Sequence, residues 1–303
     1  MKKLISLTSL LLLSCLAVFA QETKKLKEVQ AANLWAPSSI KIDGALKEWG
    51  DSFQAYNKAT KLYYTLSNDD KNIYLAIKST DAINNNKIIA GGITLTINTD
   101  GKKKEKDAFS LTYPVIQRTT RTMRGPGGGA PGMPGRSMTI TMGPGGGPGG
   151  PGGQPVDSAM IKAAHERTIA AAKEIKVAGF KDITDSLVSI YNEYGIKAAI
   201  GYNALGNFTY EMAIPIKLLN LKSDGQELNY NVKVNGIVIP AAMMQAMSEG
   251  GNGGGGSDGG QRIVTFGGPG GGGGGQRGGG GGNFQEMTSP SDFWGKYTLA
   301  KNQ

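Results

Sequence analysis

The chain contains one cysteine, Cys15, and one histidine, His165. A single thiol excludes an internal disulfide framework. A lone histidine excludes a histidine-based catalytic dyad with cysteine and most zinc sites, which draw on several such ligands. Beyond the first twenty residues no apolar run is long enough to span a bilayer, so no transmembrane segment is expected in the mature chain. Paired acids such as Asp69 and Asp70 are adjacent on one turn, where they have no reason to flank a glycosidic bond. Strings of the form G-x-G-x-x-G recur only inside glycine tracts and follow no βαβ pattern, so they carry no dinucleotide-binding meaning. An enzyme is the class the sequence supports least.

Glycine is what the chain has in excess. Of its 47 glycines, 35 lie in two tracts, 125–153 and 250–282. These lack the apolar surface that would offset the entropy of ordering them, so both are expected to be disordered loops. Without them and the leader, roughly 220 residues remain, enough for one sandwich and thin for two domains. A single domain over 28–300 is expected. The formal charge is +9, of which Lys2 and Lys3 supply two, leaving +7 for the mature chain. Lys102, Lys103, Lys104 and Lys106 crowd one turn, and Arg118, Arg121 and Arg124 follow a strand. Attraction to acidic polymers or anionic headgroups is one reading; a solvated surface is the other.

Residues 1–20 read as an export signal. Lys2 and Lys3 precede an apolar run, and Val18-Phe19-Ala20 places small residues at the usual cleavage positions. A rival cut is at Leu12-Leu13-Ser14-Cys15, a lipoprotein-like box that would leave Cys15 lipidated. Either way the protein is expected outside the cytoplasm, periplasmic, secreted or anchored, and nucleic acid is not an expected partner.

Short strands dominate the remainder. Leu62-Tyr63-Tyr64-Thr65-Leu66 and Ile73-Tyr74-Leu75-Ala76-Ile77 flank an Asn/Asp turn and predict a hairpin. Residues 93–98 alternate as Ile-Thr-Leu-Thr-Ile-Asn, with 109–116 returning as partner, and Pro114 marks an edge or a bulge. A helix is expected over 157–177, its stripe formed by Ile161, Ala164, His165, Thr168, Ala171, Ala172 and Ile175. Strands are expected again at 187–192, 196–201, 208–214, 228–239 and 293–299. The fold class expected is all-β: an antiparallel β-sandwich of jelly-roll type with one long inserted helix and two disordered glycine-rich loops.

Four blocks carry a family resemblance. They are Ile40-Lys41-Ile42-Asp43-Gly44 with Glu48-Trp49, the hairpin over 65–81, Tyr210-Glu211-Met212-Ala213-Ile214-Pro215, and Ser289-Pro290-Ser291-Asp292-Phe293-Trp294-Gly295. In this order they resemble the family-nine carbohydrate-binding module and the wider DOMON-like superfamily. The resemblance implies a non-catalytic binding module for a carbohydrate or glycan-like ligand. It also implies scaffold roles: a turn at Asp43-Gly44, and core packing for Trp49 and Trp294. Trp35, before the first block, reads as a core or staple residue. Sugar-binding members sandwich a sugar between two tryptophans, since aromatic faces stack on the C–H face of a pyranose. The corresponding positions here are Ile88-Ile89, in the loop before residue 93, and Met287 near the closing block. Ile89, Phe284 and Met287 are therefore the implied ligand residues.

Calcium binding in some members implies Asn98, Asp100 and Asp107 as oxygen ligands, against the reading of a plain acidic turn. Haem held between histidine and methionine in other members sets His165 against its simpler role on a helix stripe. The sequence itself raises one more possibility. Met123, Met133, Met138 and Met142, with Met243, Met244 and Met247, are thioethers in flexible loops that can ligate Cu(I) or contact apolar partners. The alternative to a glycan binder is an envelope structural or partner-binding protein that uses these glycine- and methionine-rich loops.

Overall fold

The expected Asn/Asp turn forms, and Asp69 builds it. Its Oδ1 accepts the backbone N–H groups of Lys71 and Asn72, each at 2.7 Å, while the Tyr74 hydroxyl donates to its Oδ2 at 2.7 Å. Burial pushes the Asp69 carboxyl up, but these three donors outweigh it and hold the group below its ordinary value. This computed structural model describes residues 26–50, 52–116, 120–124, 137–141, 158–221, 225–237 and 285–302. Residues 1–25, with Cys15, lie outside the described residues, as do Phe284, the whole of 250–282 and all of 125–153 but 137–141.

The strands are β1 Ala55–Asn57, β2 Leu62–Asn68, β3 Asn72–Ser79, β4 Ile93–Asn98, β5 Phe109–Val115, β6 Thr120–Arg124, β7 Ser137–Thr141, β8 Glu174–Ala178, β9 Leu187–Ser189, β10 Lys197–Tyr202, β11 Phe208–Pro215, β12 Glu227–Val234 and β13 Ser291–Thr298. Helix α1 is Ala82–Gly91 and α2 is Ser158–Ala171; short 3₁₀ turns occur at Lys47–Trp49 and Ile216–Leu219. One antiparallel sheet runs β1-β2-β3-β11-β10 and a second β13-β12-β4-β5-β8-β9, with β6 and β7 forming a separate ladder. The protein is thus mostly β, with two antiparallel sheets, consistent with a β-sandwich.

Alternation supplies the core. On β12, Leu228, Tyr230, Val232 and Val234 join β4 residues Ile93, Leu95 and Ile97 and first-sheet residues Ile73, Leu75, Ile77, Tyr210 and Met212 in one buried cluster. The middle of the first sheet is buried on its other face as well. There Ile40, Ile42 and Trp49 pack on Tyr74 and Ala213, and Leu46 and Phe53 pack with Ala76.

Several expectations are corrected. The helix expected over 157–177 ends at Ala171, and Ile175 belongs to β8, where Ile175 and Val177 are buried and Lys176 and Ala178 exposed. Strand β8 wins because β5 lies inside its sheet and needs a ladder partner on that side. For the same reason Pro114 is not at an edge; the register of β5 against β8 shifts between Thr112 and Val115, the bulge alternative. Within the first tract, 137–141 pairs with 120–124, Met123 standing opposite Met138, so the loop expected over 125–153 contains a strand. The strand expected over 228–239 ends at Val234. Trp294 is half-buried rather than a core residue, because β13 turns Phe293, Gly295 and Tyr297 inward.

The outer face of the second sheet carries Asn229 and Asn231, both buried. Asn231 Nδ2 donates to Asp292 Oδ2 at 2.6 Å and to the Phe293 carbonyl at 3.0 Å. Among the described residues no group hydrogen-bonds either amide atom of Asn229. Asn229→Val is therefore expected to raise stability by about 1 kcal/mol, since it replaces a desolvated amide by a strand-forming apolar group. The readout is a higher urea midpoint at unchanged slope.

Candidate ligand site

Ladder registers bring distant segments to one end of the second sheet. Ile93 pairs with Tyr113 and with Val234, and Val234 pairs with Ser291. The start of β4, the ends of β5 and β12 and the start of β13 therefore lie together. Helix α1 enters this end and the one-turn helical segment 285–288 leads out of it into β13. Asn235 Nδ2 donates to the Gly91 carbonyl and to Thr94 Oγ1, each at 2.9 Å. Ile237 N–H donates to the Met287 carbonyl at 2.9 Å. A Cβ on Gly236 would collide with the Thr288 carbonyl, so the approach requires glycine. The described residues on both sides of the second tract, and Ile116 before the first, sit at this end.

Helix α1 was expected to be a loop. Asp81 caps it by accepting the Asn84 N–H at 2.8 Å. Gly92, at φ +77°, ends it, with its N–H on the Ile88 carbonyl at 2.7 Å. The helix turns Ile88 and Ile89 into the core, Ile89 only 8% exposed, so Ile89 offers no face to a ligand. Met287 is half-buried on the 285–288 turn. The two implied ligand segments thus come to one end of the sheet, but Ile89 does not line their meeting point.

Charged residues do. Lys61, in the turn between β1 and β2, reaches Asp81 Oδ2 at 3.1 Å and also pairs with Glu286. The Glu286 hydrogen bond, with help from Asp81, raises the Lys61 ammonium above its ordinary value despite partial burial. Burial pushes the Asp81 carboxyl up, but the Asn84 N–H and Lys61 outweigh it and hold the group low. Lys87, on α1, is 4% exposed, and its Nζ meets Ser291 Oγ at 3.4 Å. Burial lowers the Lys87 ammonium below its ordinary value, partly countered by the charge of Glu286. Sequence reading missed all of these residues. The one available signal was Asp81 three positions before Asn84, a capping pattern.

Of the implied calcium trio, Asn98 commits its amide to the turn itself. Asn98 Oδ1 accepts the N–H groups of Asp100 and Lys102 at 2.9 and 3.3 Å, and its Nδ2 donates to the Lys104 carbonyl at 3.1 Å. The amide organises the lysine-rich turn, while Asp100 and Asp107 are exposed. Among the described residues no group of three or more histidine, cysteine or carboxylate side chains is placed to hold a metal ion. His165 stacks flat on Tyr202, ring centres 3.5 Å apart, and burial lowers its pKa.

The scaffold residues gather around Glu211, a fully buried carboxylate on β11. Its Oε2 accepts the N–H groups of Gly44 at 2.6 Å and Asp43 at 3.1 Å, and its Oε1 accepts Trp49 Nε1–H at 2.7 Å. Gly44 sits at φ +80°, and a Cβ there would stand 2.6 Å from the Ile200 backbone, which explains the glycine. Trp49 is half-buried, edge-on to Tyr74 at 6.2 Å, so its indole is a clasp across the sheet more than a core filler. At the opposite end of the second sheet, Trp35 borders an open hollow of about 540 Å³ with Asn33, Ala300, Lys301 and Asn302.

Among the described residues no helix is long and apolar enough to cross a membrane. Comparison with family models, with curated proteins and with solved structures returns no match.

Proposed function

We infer that the protein is an exported, non-catalytic binding module of jelly-roll type for a carbohydrate or glycan-like ligand. Its site is the end framed by α1 and residues 285–291. The observation that carries this reading is the meeting of two segments far apart in sequence, around Ile89 and Met287, at one end of the sheet. Those are the segments that frame the ligand in the modules the chain resembles. Here the polar work falls to Lys61, Asp81, Lys87, Glu286 and Ser291, whose ammonium, carboxylate and hydroxyl groups match the hydrogen-bonding needs of a polyhydroxylated ligand.

A second reading, binding of an envelope partner through the glycine- and methionine-rich tracts, is favoured by Ile116, before the first tract, and Ile237 and residue 285, on either side of the second, lying at this same end. A glycan array with protein lacking residues 1–20, beside a form also lacking 120–153 and 250–282, separates the two. The expected result is selective glycan binding that survives the deletion and weakens about tenfold or more in Lys61→Ala, the loss of one charged hydrogen bond. Loss of binding in Trp35→Ala but not in Lys61→Ala would move the site to the other end. No binding by either form would sink the glycan reading and leave the partner reading.

A further inference from the structure

Lys87 is the feature of this end that its surroundings do not account for. Lys87, a residue 4% exposed on α1, finds one hydrogen-bond partner among the described residues, Ser291 Oγ, at the long distance of 3.4 Å. A buried cation without a directly bonded anion is costly, and an apolar side chain of similar volume would avoid that cost. The opposite charge felt by Lys87 is that of Glu286, whose carboxylate is engaged by Lys61. Lys61 in turn is steadied by Asp81, the cap of α1. Two lysines from separate elements therefore flank one carboxylate, and that carboxylate is carried on a single helical turn rather than on a strand.

We propose that Lys61, Lys87 and Ser291 form a subsite for a carboxylate-bearing ligand, a uronate of an acidic glycan, and that Glu286 occupies the subsite as an internal substitute until the ligand displaces it. The ligand carboxylate takes the Lys61 contact, gives Lys87 the anion it lacks, and accepts from the Ser291 hydroxyl. Asp81 stays in place as helix cap and holds Lys61 in position. The count of charges favours exchange over addition: with Glu286 displaced, two cations still face two anions. This inference rests on the glycan reading above and narrows its ligand class.

The test is calorimetric titration of the mature protein with galacturonate oligomers and with matched galactose oligomers, which lack only the carboxylates. Binding of the uronate at least about tenfold tighter than the neutral oligomer is expected, as one charge-assisted contact supplies. Glu286→Gln, which removes the competitor, is expected to tighten uronate binding further and so to widen the ratio of uronate to neutral-oligomer affinity. Lys87→Met is expected to abolish the uronate preference while raising the melting temperature. Unchanged or weaker uronate binding in Glu286→Gln overturns the proposal, whatever Lys87→Met does to folding. Equal binding of both oligomers overturns the subsite and leaves the glycan reading standing. Citrate binding that depends on Lys87, with neither oligomer bound, supports the carboxylate subsite and sinks the glycan reading. No binding of any of the three overturns both.

Discussion

Glu211→Ala is expected to lower stability by about 3–5 kcal/mol. The side chain is fully buried and takes three N–H donors, from Asp43, Gly44 and Trp49. Truncation leaves all three without an acceptor and opens a cavity beneath the segment that covers the first sheet. Glu211→Gln keeps the volume but turns an amide N–H₂ toward donors, so an intermediate loss is expected. The same residue sets a pH dependence. Burial raises the Glu211 carboxyl above its ordinary value of 4.5, against the three hydrogen bonds that favour the charged form. The folded chain therefore holds a proton that the unfolded chain has released, and this contribution to stability is lost as pH rises from about 4.5 through the folded value. Asp69 and Asp81, both lowered, act in the opposite sense and lose their contribution as pH falls below about 3.8. Urea midpoints across this range should show the fall with rising pH in the parent and not in Glu211→Gln. Parallel profiles would show that Glu211 does not titrate there.

Gly295→Ala is expected to destabilise by about 3 kcal/mol through overpacking. Gly295 is buried on β13 directly opposite Tyr230, and a Cβ would overlap the far side of the Tyr230 ring. That ring has little room to retreat. Tyr230 is 1% exposed, its hydroxyl meets the Tyr64 hydroxyl at 3.1 Å, and the Tyr64 hydroxyl accepts the Gln30 N–H at 2.8 Å. Phe293 closes the group, 4.9 Å from the Tyr64 ring and 6.3 Å from Tyr230. A displaced Tyr230 loses its buried hydroxyl partner as well as its packing. Combining Gly295→Ala with Tyr230→Leu should therefore lose about 1–2 kcal/mol less than the two single changes added together. Strict additivity in denaturant melts would mean that the added methyl is accommodated elsewhere.

The sandwich was legible wherever one face of a strand is apolar and the other polar. Residues 93–98 and the 62–77 hairpin could be placed from alternation and turn chemistry alone. Reading failed where two periods coincide. Ile175 fits a helical stripe through Thr168 and Ala172, yet Glu174-Ile175-Lys176-Val177-Ala178 also alternates, and only the need of β5 for a partner decides between them. Helix α1 was hidden by three consecutive asparagines, Asn84 to Asn86, which are poor helix formers, although Asp81 and Gly92 mark both its ends. Within the first tract, composition concealed the alternating Ser-Met-Thr-Ile-Thr of β7. For the candidate site, the resemblance points to the segments around Ile89 and Met287 and to none of the charged side chains. No local pattern relates Lys61 and Lys87 to Glu286 and Ser291, which come together only through the pairing of β12 with β4 and β13.

That pairing order also governs when the chain can fold. β3, in the middle of the first sheet, takes β11 as one neighbour, and β4, inside the second, takes β12. Both partners are synthesised after the two helices. The last strand, β13, completes an edge, and beyond it Asn68 exchanges hydrogen bonds with Ala300 at 2.7 and 3.1 Å, tying the first hairpin to the final residues. Contacts of such long sequence separation slow folding and leave little that a partial chain can close on its own. For a protein exported as proposed, the emerging chain stays loosely structured until β11, β12 and β13 have been made, the state in which a narrow translocation channel can pass it.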